Sequence, residues 1–492
     1  MSYFLIASVF VLGYVAIACE HSIHVNKAAS ALLTAIVLWV LLMVFGIDGV
    51  NHGVPSAATA LEQVQGVHAV SEQLREHLAE IAEILFFLMG AMAIVELIDA
   101  HDGFRVVTDK ITTNNAVKLL WIITILTFFL SALLDNLTTT IVMISLISKI
   151  IGEQKIRWYF VGLIVIAANA GGAWSPIGDV TTTMLWIGGQ ISASGIMLNV
   201  FLPSLVSMLV PLILVTFQLK GKTIIAPTHA NATRDSNAEP INPLTLPLPE
   251  RIDNLRATVK STAQQGITPK MRMWVLALGL GALAFVPIFK TVTHLPPYVG
   301  VLFGLAVLWI VTEIMHRHQD DYIRERIGVE GVLSRIDMPS ILFFLGILLS
   351  VGALATAGIL ANVAHWLDNT FGNIYVINVM IGLLSAVIDN VPLVAGAMKM
   401  YPLVDGASVS QLAGSEATRQ AFFVQDGLFW EFLAYCAGTG GSCLIIGSAA
   451  GVTAMGMEKI SFMWYFKHIA WLALAGYLAG AGVYVLIETL LH

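Results

Sequence analysis

Ser131-Ala132-Leu133-Leu134-Asp135-Asn136 returns 254 residues later, counted from Asp135 to Asp389, as Ser385-Ala386-Val387-Ile388-Asp389-Asn390. Each copy sits inside a strongly apolar stretch. A charged Asp at the centre of a membrane helix costs roughly 2.5–3.5 kcal/mol. Two such residues at matching points of two halves predict an internally duplicated membrane protein whose ion site is built from both copies.

Composition agrees. Of 492 residues, 57% are hydrophobic and 12% charged, against about 25% charged in soluble domains. The formal net charge of −7 argues against nucleic acid as a partner. Cys19, Cys436 and Cys443 fall in or beside apolar runs, with neither zinc nor disulfide spacing, and read as small buried residues. Neither a cofactor nor an enzymatic activity is expected. The apolar N-terminus lacks a basic start and reads as a retained first helix rather than a cleaved signal.

Apolar runs near 2–18, 28–48, 81–100, 158–189 and 196–219 are candidate spans of a first half, 1–219. Those near 271–290, 297–314, 339–360, 428–455 and 463–490 belong to a second half, 271–492. Regions 116–151 and 373–404 each carry Asp-Asn near the middle, and form either a re-entrant hairpin or two full spans. The Pro-rich polar segment 220–270 reads as a cytoplasmic linker. Lys27, Arg105, Lys110, Lys155, Arg157, the basic residues of 220–270, Arg317, Arg324, Arg326, Arg335 and Lys459 share one set of loops. The opposite set holds little beyond Arg75, Lys290 and Arg419. The basic set is expected in the cytoplasm, with both termini outside, in the periplasm. Residues 57–80 read as an amphipathic surface helix on the outer side, with His68 and His77 solvated. Glu83 and Glu96 lie on the third span, and Lys399 is expected near the outer surface. Glu313 and Glu431 are expected near helix ends, where interface exposure satisfies them.

Two further matches support duplication. Ile84–Leu88 resembles Ile341–Leu345, an offset of 257 (84 to 341), and Gly171-Gly172 with Gly178 resembles Gly440-Gly441 with Gly447, an offset of 269 (171 to 440). The fold class expected is therefore all-α and polytopic, with two repeats of about five spans, each carrying a hairpin and a broken helix. Five is odd, so the repeats are inverted.

Four elements carry the chemistry. Ser131, Asp135, Asn136, Thr138, Thr139 and Thr140 offer the hard oxygens that sodium or lithium prefers, although Asn136 and the threonines also suit helix caps. In Asn169-Ala170-Gly171-Gly172-Ala173-Trp174-Ser175-Pro176-Ile177-Gly178-Asp179-Val180-Thr181-Thr182-Thr183, the Gly and Pro residues break a helix between Asn169 and Asp179. Ser385, Asp389, Asn390 and Pro392 form the third element; Gly438 to Ser442 and Gly447-Ser448 form the fourth. Ser448 replaces Asp179 in the alignment, so the acidic load lies in the first half, and Ser442 and Ser448 suit packing as well as binding.

The runs Ser131 to Thr140, Ala168 to Thr183 and Ser385 to Pro392 resemble NhaD-type sodium/proton antiporters, part of the ion-transporter superfamily that also holds arsenite and dicarboxylate carriers. The resemblance implies a dimeric Na⁺(Li⁺)/H⁺ exchanger of the bacterial inner membrane. It implies roles for Asp135, Asn136, Asn169, Asp179, Thr181, Thr182, Ser385, Asp389 and Asn390, with Asp135, Asn136, Asn169 and Asp179 expected around the cation. The rival reading is a sodium-coupled organic anion carrier, which would present helix N-termini and often a cation to its cargo. A cation channel or an arsenite carrier is less consistent with broken-helix duplication and the absence of a thiol site.

Overall fold

The structure, a computed structural model, describes residues 2–18, 20–45, 60–108, 113–224, 267–317, 327–410, 412 and 414–491. Most of the expected linker, Lys110, Arg324, Arg326 and Cys19 lie outside the described residues. Every regular element among the described residues is helical, as a bilayer requires, because only helices or closed barrels satisfy their own backbone groups there.

Along the chain run α1 (Ser2–Ala18), α2 (Lys27–Phe45), α3 (Ala60–Ala100), α4 (Ala116–Ser131), α5 (Asn136–Ile150), α6 (Gln154–Ala173), α7 (Val180–Ile187), α8 (Ala193–Asn199) and α9 (Phe201–Leu219). After the linker come α10 (Pro269–Thr293), α11 (Pro297–His316), α12 (Met338–Thr356), α13 (Ile359–Phe371), α14 (Ile374–Leu384), α15 (Asn390–Met400), α16 (Leu428–Gly440), α17 (Ala449–Glu458) and α18 (Trp471–Leu491). Eight described helices are long and apolar enough to cross a membrane, so the chain is a multi-pass membrane protein.

Helix α3 corrects one expectation. Residues 60–80 are not a separate surface helix but the first part of a continuous 41-residue rod, roughly 62 Å long at 1.5 Å per residue. The reason lies in the spacing of buried Val70, His77, Ile81 and Ile84 with the partly buried Leu74, a stripe that runs through the supposed junction without a break. His68 is exposed as expected, but His77 is only 8% exposed. Its Nε2 lies 3.3 Å from Thr356 Oγ1, its Nδ1 lies 3.5 Å from Glu80 Oε2, and its ring packs beside Trp39.

Both Asp-Asn regions form hairpins. At the tip of the first, Ser131 Oγ donates to Ala168 O at 2.6 Å and Asn136 Nδ2 to Asn169 Oδ1 at 3.0 Å, both far along α6. At its open end, Asn115 pairs with Thr223 just past α9, and Ile151 O accepts from Arg157 Nη1 at the start of α6. Both outer ends therefore lie on one face. The arms, 16 and 15 residues, span roughly 24 and 23 Å, short of a ~30 Å hydrocarbon core. In the second hairpin, Ser385 Oγ donates to Ala437 O at 3.0 Å near the tip. Asn378 Nδ2 donates to Phe429 O at 3.2 Å, and Tyr401, past the far end of α15, packs on the Phe429 ring at 4.7 Å.

Helices α6 and α7 are separated by Trp174–Asp179, where Pro176 has no N–H to continue the ladder. Helices α16 and α17 are separated by Gly441–Ser448. Each hairpin is seated on the broken helix of its own half at bare glycine. A Cβ on Gly171 would strike Phe128 O, and one on Gly440 would strike Gly382 O. These contacts repeat with the offsets of 254 (128 to 382) and 269 (171 to 440) read from the motifs. The two broken helices run antiparallel. Arg157 Nε at the start of α6 meets Glu458 Oε2 at the end of α17, 2.6 Å apart. Asp426 Oδ1 ahead of α16 accepts from Ser192 N beyond α7 at 2.5 Å.

The first of these ends is the basic face, tied together by Arg272–Asp102 and Arg335–Glu96 at 3.6 and 3.7 Å. At the opposite face Lys399 meets Glu80 at 2.6 Å, Arg419 meets Asp368 at 2.5 Å, and Lys290 Nζ donates to Trp186 O at 2.8 Å.

Candidate functional site

Each broken element starts a helix near the middle of the molecule, and each start is capped by a side-chain oxygen. Asp135 caps α5, Asp179 caps α7, Asp389 caps α15 and Ser448 caps α17. Asp and Ser are favoured there because they accept from otherwise unpaired N–H groups of the first turn.

Asp179, 2% exposed, is the centre. Its Oδ1 accepts from Thr181 N at 3.0 Å. Its Oδ2 accepts from Asn136 Nδ2 of the first hairpin at 3.0 Å and from Asn390 Nδ2 of the second at 3.3 Å. Asn136 Nδ2 also donates to Asn169 Oδ1 at 3.0 Å. Asn169 is fully buried, and its Nδ2 donates to Ser442 Oγ and Ser448 Oγ, both at 2.9 Å. One continuous polar network thus joins all four broken elements through Asn136, Asn169, Asp179, Asn390, Ser442 and Ser448. Asn136 is no cap: its amide bridges a carboxylate and a second amide, and capping falls to Asp135.

The other expected site residues stand at the margin. Asp135 is half-buried with φ of 142°, a strained backbone for a residue with a Cβ. Its Oδ1 accepts from Thr138 N at 2.7 Å and its Oδ2 from Thr138 Oγ1 at 2.9 Å. Asp389 accepts from Val391 N at 3.1 Å and receives none of the network's bonds. Ser385, like Ser131, spends its hydroxyl on a backbone carbonyl that seats its hairpin. Thr181 reaches Asp179 through its backbone, and Thr182 Oγ1 donates to Asp179 O at 2.9 Å. Among the described residues, the buried hydroxyls of Thr139 and Thr140 meet no protein partner.

Among the described residues, no Lys, Arg or His pairs with Asp135, Asp179 or Asp389. Asp179 is held by amide donors alone. A buried carboxylate without a cationic partner binds a proton or a metal cation readily, because either neutralises it.

A cavity of about 1340 Å³ opens on the basic face and reaches the first turns of α5 and α17. Glu96, Asp99, Arg105 and Asp337 line its outer part, and Thr138 and Ala449 its inner end, beside the caps Asp135 and Ser448.

Glu431 stands near a helix end as expected, in the first turn of α16. It is not satisfied by interface exposure: it is 1% exposed, and Asn199 Nδ2 lies 2.9 Å from both carboxylate oxygens. Its signal was its position inside the apolar run Leu428-Phe429-Trp430-Glu431-Phe432-Leu433. Ser175, whose hydroxyl donates to Ala132 O at 2.5 Å, and the buried pair His101 and His316, with Nε2 atoms 2.8 Å apart, were not singled out.

The family model described as citrate transporter, CitMHS, matches residues 14–416. Sodium/proton antiporter 1 of Arabidopsis thaliana is 45% identical over 484 residues, which cover 98% of this chain and 72% of that protein. Sodium/proton antiporter 2 of the same plant is 42% identical over 98% of this chain and 99% of its own length. The Na(+)/H(+) antiporter NhaD of Vibrio cholerae is 28% identical over 98% and 91%.

Proposed function

This chain belongs to the CitMHS family of transporters, and on that premise we propose that it exchanges sodium ions for protons across a membrane. The observation that carries this reading is Asp179, buried at the crossing of four half-helices and bonded only by amides. The names of the plant and bacterial relatives support it.

The charge pattern also separates a cation from an organic anion. An anion carrier aims open helix N-termini at its cargo. Here three of four converging N-termini are already filled by carboxylates, Asp135, Asp179 and Asp389. Fixed negative charge at these positions repels an anion and attracts Na⁺ or Li⁺.

In this mechanism one site serves both cargoes. Sodium enters from the basic face past Thr138 and takes oxygen ligands from Asp135, Asp179, Asn136 and Asn169, with Thr181, Thr182, Ser442 and Ser448 as further donors. To coordinate the oxygens that now accept from Asn136 Nδ2, the ion displaces that N–H donor. Protonation of the carboxylates removes the charge and expels the ion. The site then reorients only when loaded with sodium or protons. The antiparallel broken helices support two inverted repeats, and the charge bias supports a cytoplasmic basic face with both termini on the other side. Sodium then leaves the cytoplasm as protons enter. A bacterial inner membrane and a homodimer complete the proposal; the spans of α10 and α11 are each only 28% buried, which leaves surface for lipid or a second copy.

The test uses purified protein in liposomes with an acid interior, a fluorescent ΔpH probe and clamped membrane potential. Proton efflux on adding NaCl or LiCl, but not KCl, is expected. Silence across alkaline pH, together with sodium-dependent uptake of a dicarboxylate or citrate, would favour the organic anion carrier that the family's description suggests. In the same assay Asn136→Ala is expected to raise the KM for sodium about tenfold, equivalent to roughly 1.4 kcal/mol, because it removes the amide that links Asp179 to Asn169. An unchanged KM would exclude Asn136 from the site.

A further inference from the structure

Glu431 lies outside the network above and has no acidic counterpart in the first half. The offset of 269 that pairs Gly440 with Gly171 pairs Glu431 with Gly162. It sits in the first turn of α16 at the opposite face, and its pocket is built by three elements. Asn199 at the end of α8 places its Nδ2 2.9 Å from both carboxylate oxygens. Tyr484 of α18 donates to Oε2 at 3.4 Å. Gly195 of α8 closes the pocket, where an added Cβ would strike Asp426 and lie 3.0 Å from Glu431 Oε1.

The titratable groups that face Glu431 are Asp426 from the turn ahead of α16 and Tyr484 and Glu488 from α18, with Tyr375 of α14 beside Tyr484. The partners bonded to Glu431 are an amide and a phenol, and none is a cation. An ionised carboxylate this deeply buried, with acids rather than bases around it, is poorly compensated. The neutral acid fits the same pocket, since its O–H can donate to Tyr484 Oη while its carbonyl oxygen accepts from Asn199.

We propose that Glu431 is a proton-binding group of the transport cycle at the opposite face, separate from the Asp135–Asp179 site. The proton comes from the solution at that face, rests on a carboxylate oxygen and returns to solution or passes inward. No other bond is made or broken. The proposal rests on the exchange reading for its place in the cycle, but not for the protonation itself.

The test compares wild type with Glu431→Gln, which keeps one of the two oxygens that Asn199 bonds. Initial exchange rates are measured against pH at the opposite face. In parallel, infrared difference spectra follow the carboxylic-acid C=O stretch through a pH titration of the purified protein. Glu431→Gln is expected to keep the KM for sodium within about twofold while the rate profile loses one titrating group, and a C=O band present in wild type should vanish. A profile and band identical to wild type would overturn the proposal and leave Glu431 as an anchor between α8 and α16. If Glu431→Gln does not fold, Tyr484→Phe retains the acid and removes its phenol partner; the same band should shift in frequency and midpoint, and an unmoved band overturns the proposal. Were the wild type to show no sodium-driven proton movement while the band still titrates, the exchange reading would fall and the protonation site would stand.

Discussion

Asp179→Asn is expected to abolish sodium-driven proton release, with a rate at least a hundredfold below wild type, a loss of about 2.7 kcal/mol or more, in a protein that remains folded. The substitution is nearly isosteric. Its Oδ1 can still accept from Thr181 N, so α7 keeps its cap. What changes is charge and polarity at the other atom. Oδ2 accepts from Asn136 and Asn390, and an Asn Nδ2 in its place would set a donor against two donors. The site would lose both the anion that attracts sodium and the group that exchanges it for a proton. Asp135→Asn is expected to fail as well, because Asp135 is bonded to Thr138, which lines the cavity from the basic face. Asp389→Asn should be milder, since among the described residues its carboxylate receives only the bond from its own helix. The measurement is the ΔpH assay at saturating sodium, with folding monitored by size-exclusion chromatography. Retained exchange in both Asp135→Asn and Asp179→Asn would sink the single-site mechanism.

Gly440→Val is expected to remove the folded protein altogether, a destabilisation of about 3 kcal/mol or more. Its Cβ would meet the backbone carbonyl of Gly382, and a backbone atom at a hairpin tip cannot swing aside as a side chain would. Gly171→Val should do the same against Phe128 O. Gly281→Ala and Gly482→Ala are the controls, because a Cβ at either position meets nothing within 4 Å. Yield and melting temperature in detergent report the outcome. A Gly440→Val protein that melts like wild type would show that the hairpin is not seated there.

Much of this architecture is legible in the sequence because lipid simplifies the code. A run of apolar residues must be helical, and a cluster of Gly and Pro beside polar residues marks a break, although lone prolines such as Pro211 and Pro287 stay inside helices. Hence the two repeated Asp-Asn pairs and the gaps before Asp179 and Ser448 stand out in residue type. Whether the hairpins turned back or crossed was open, because periodicity is the same in both cases; the bonds of Ser131 and Ser385 to the broken helices decide it. Side-chain direction was less legible. Sequence proximity grouped Ser385 with the ion-binding residues, and its hydroxyl is turned toward the Ala437 carbonyl, where it seats the hairpin. His77 and Glu431 were misread for a related reason: a polar residue near a helix end looks solvated until the neighbours that cover it, Trp39 and Thr356 for one and Asn199 and Tyr484 for the other, are known.

A single oxygen, Asp179 Oδ2, receives one amide from each hairpin, Asn136 from the first half of the chain and Asn390 from the second. A proton arriving at that atom turns an acceptor into a donor facing two N–H groups, and both amides must yield together. On the proposed exchange, loading would reach both halves through this one atom, without a relay between them. A transporter wired through one shared atom needs no separate latch to forbid movement with the wrong cargo, because the cargo and the clasp compete for the same lone pairs.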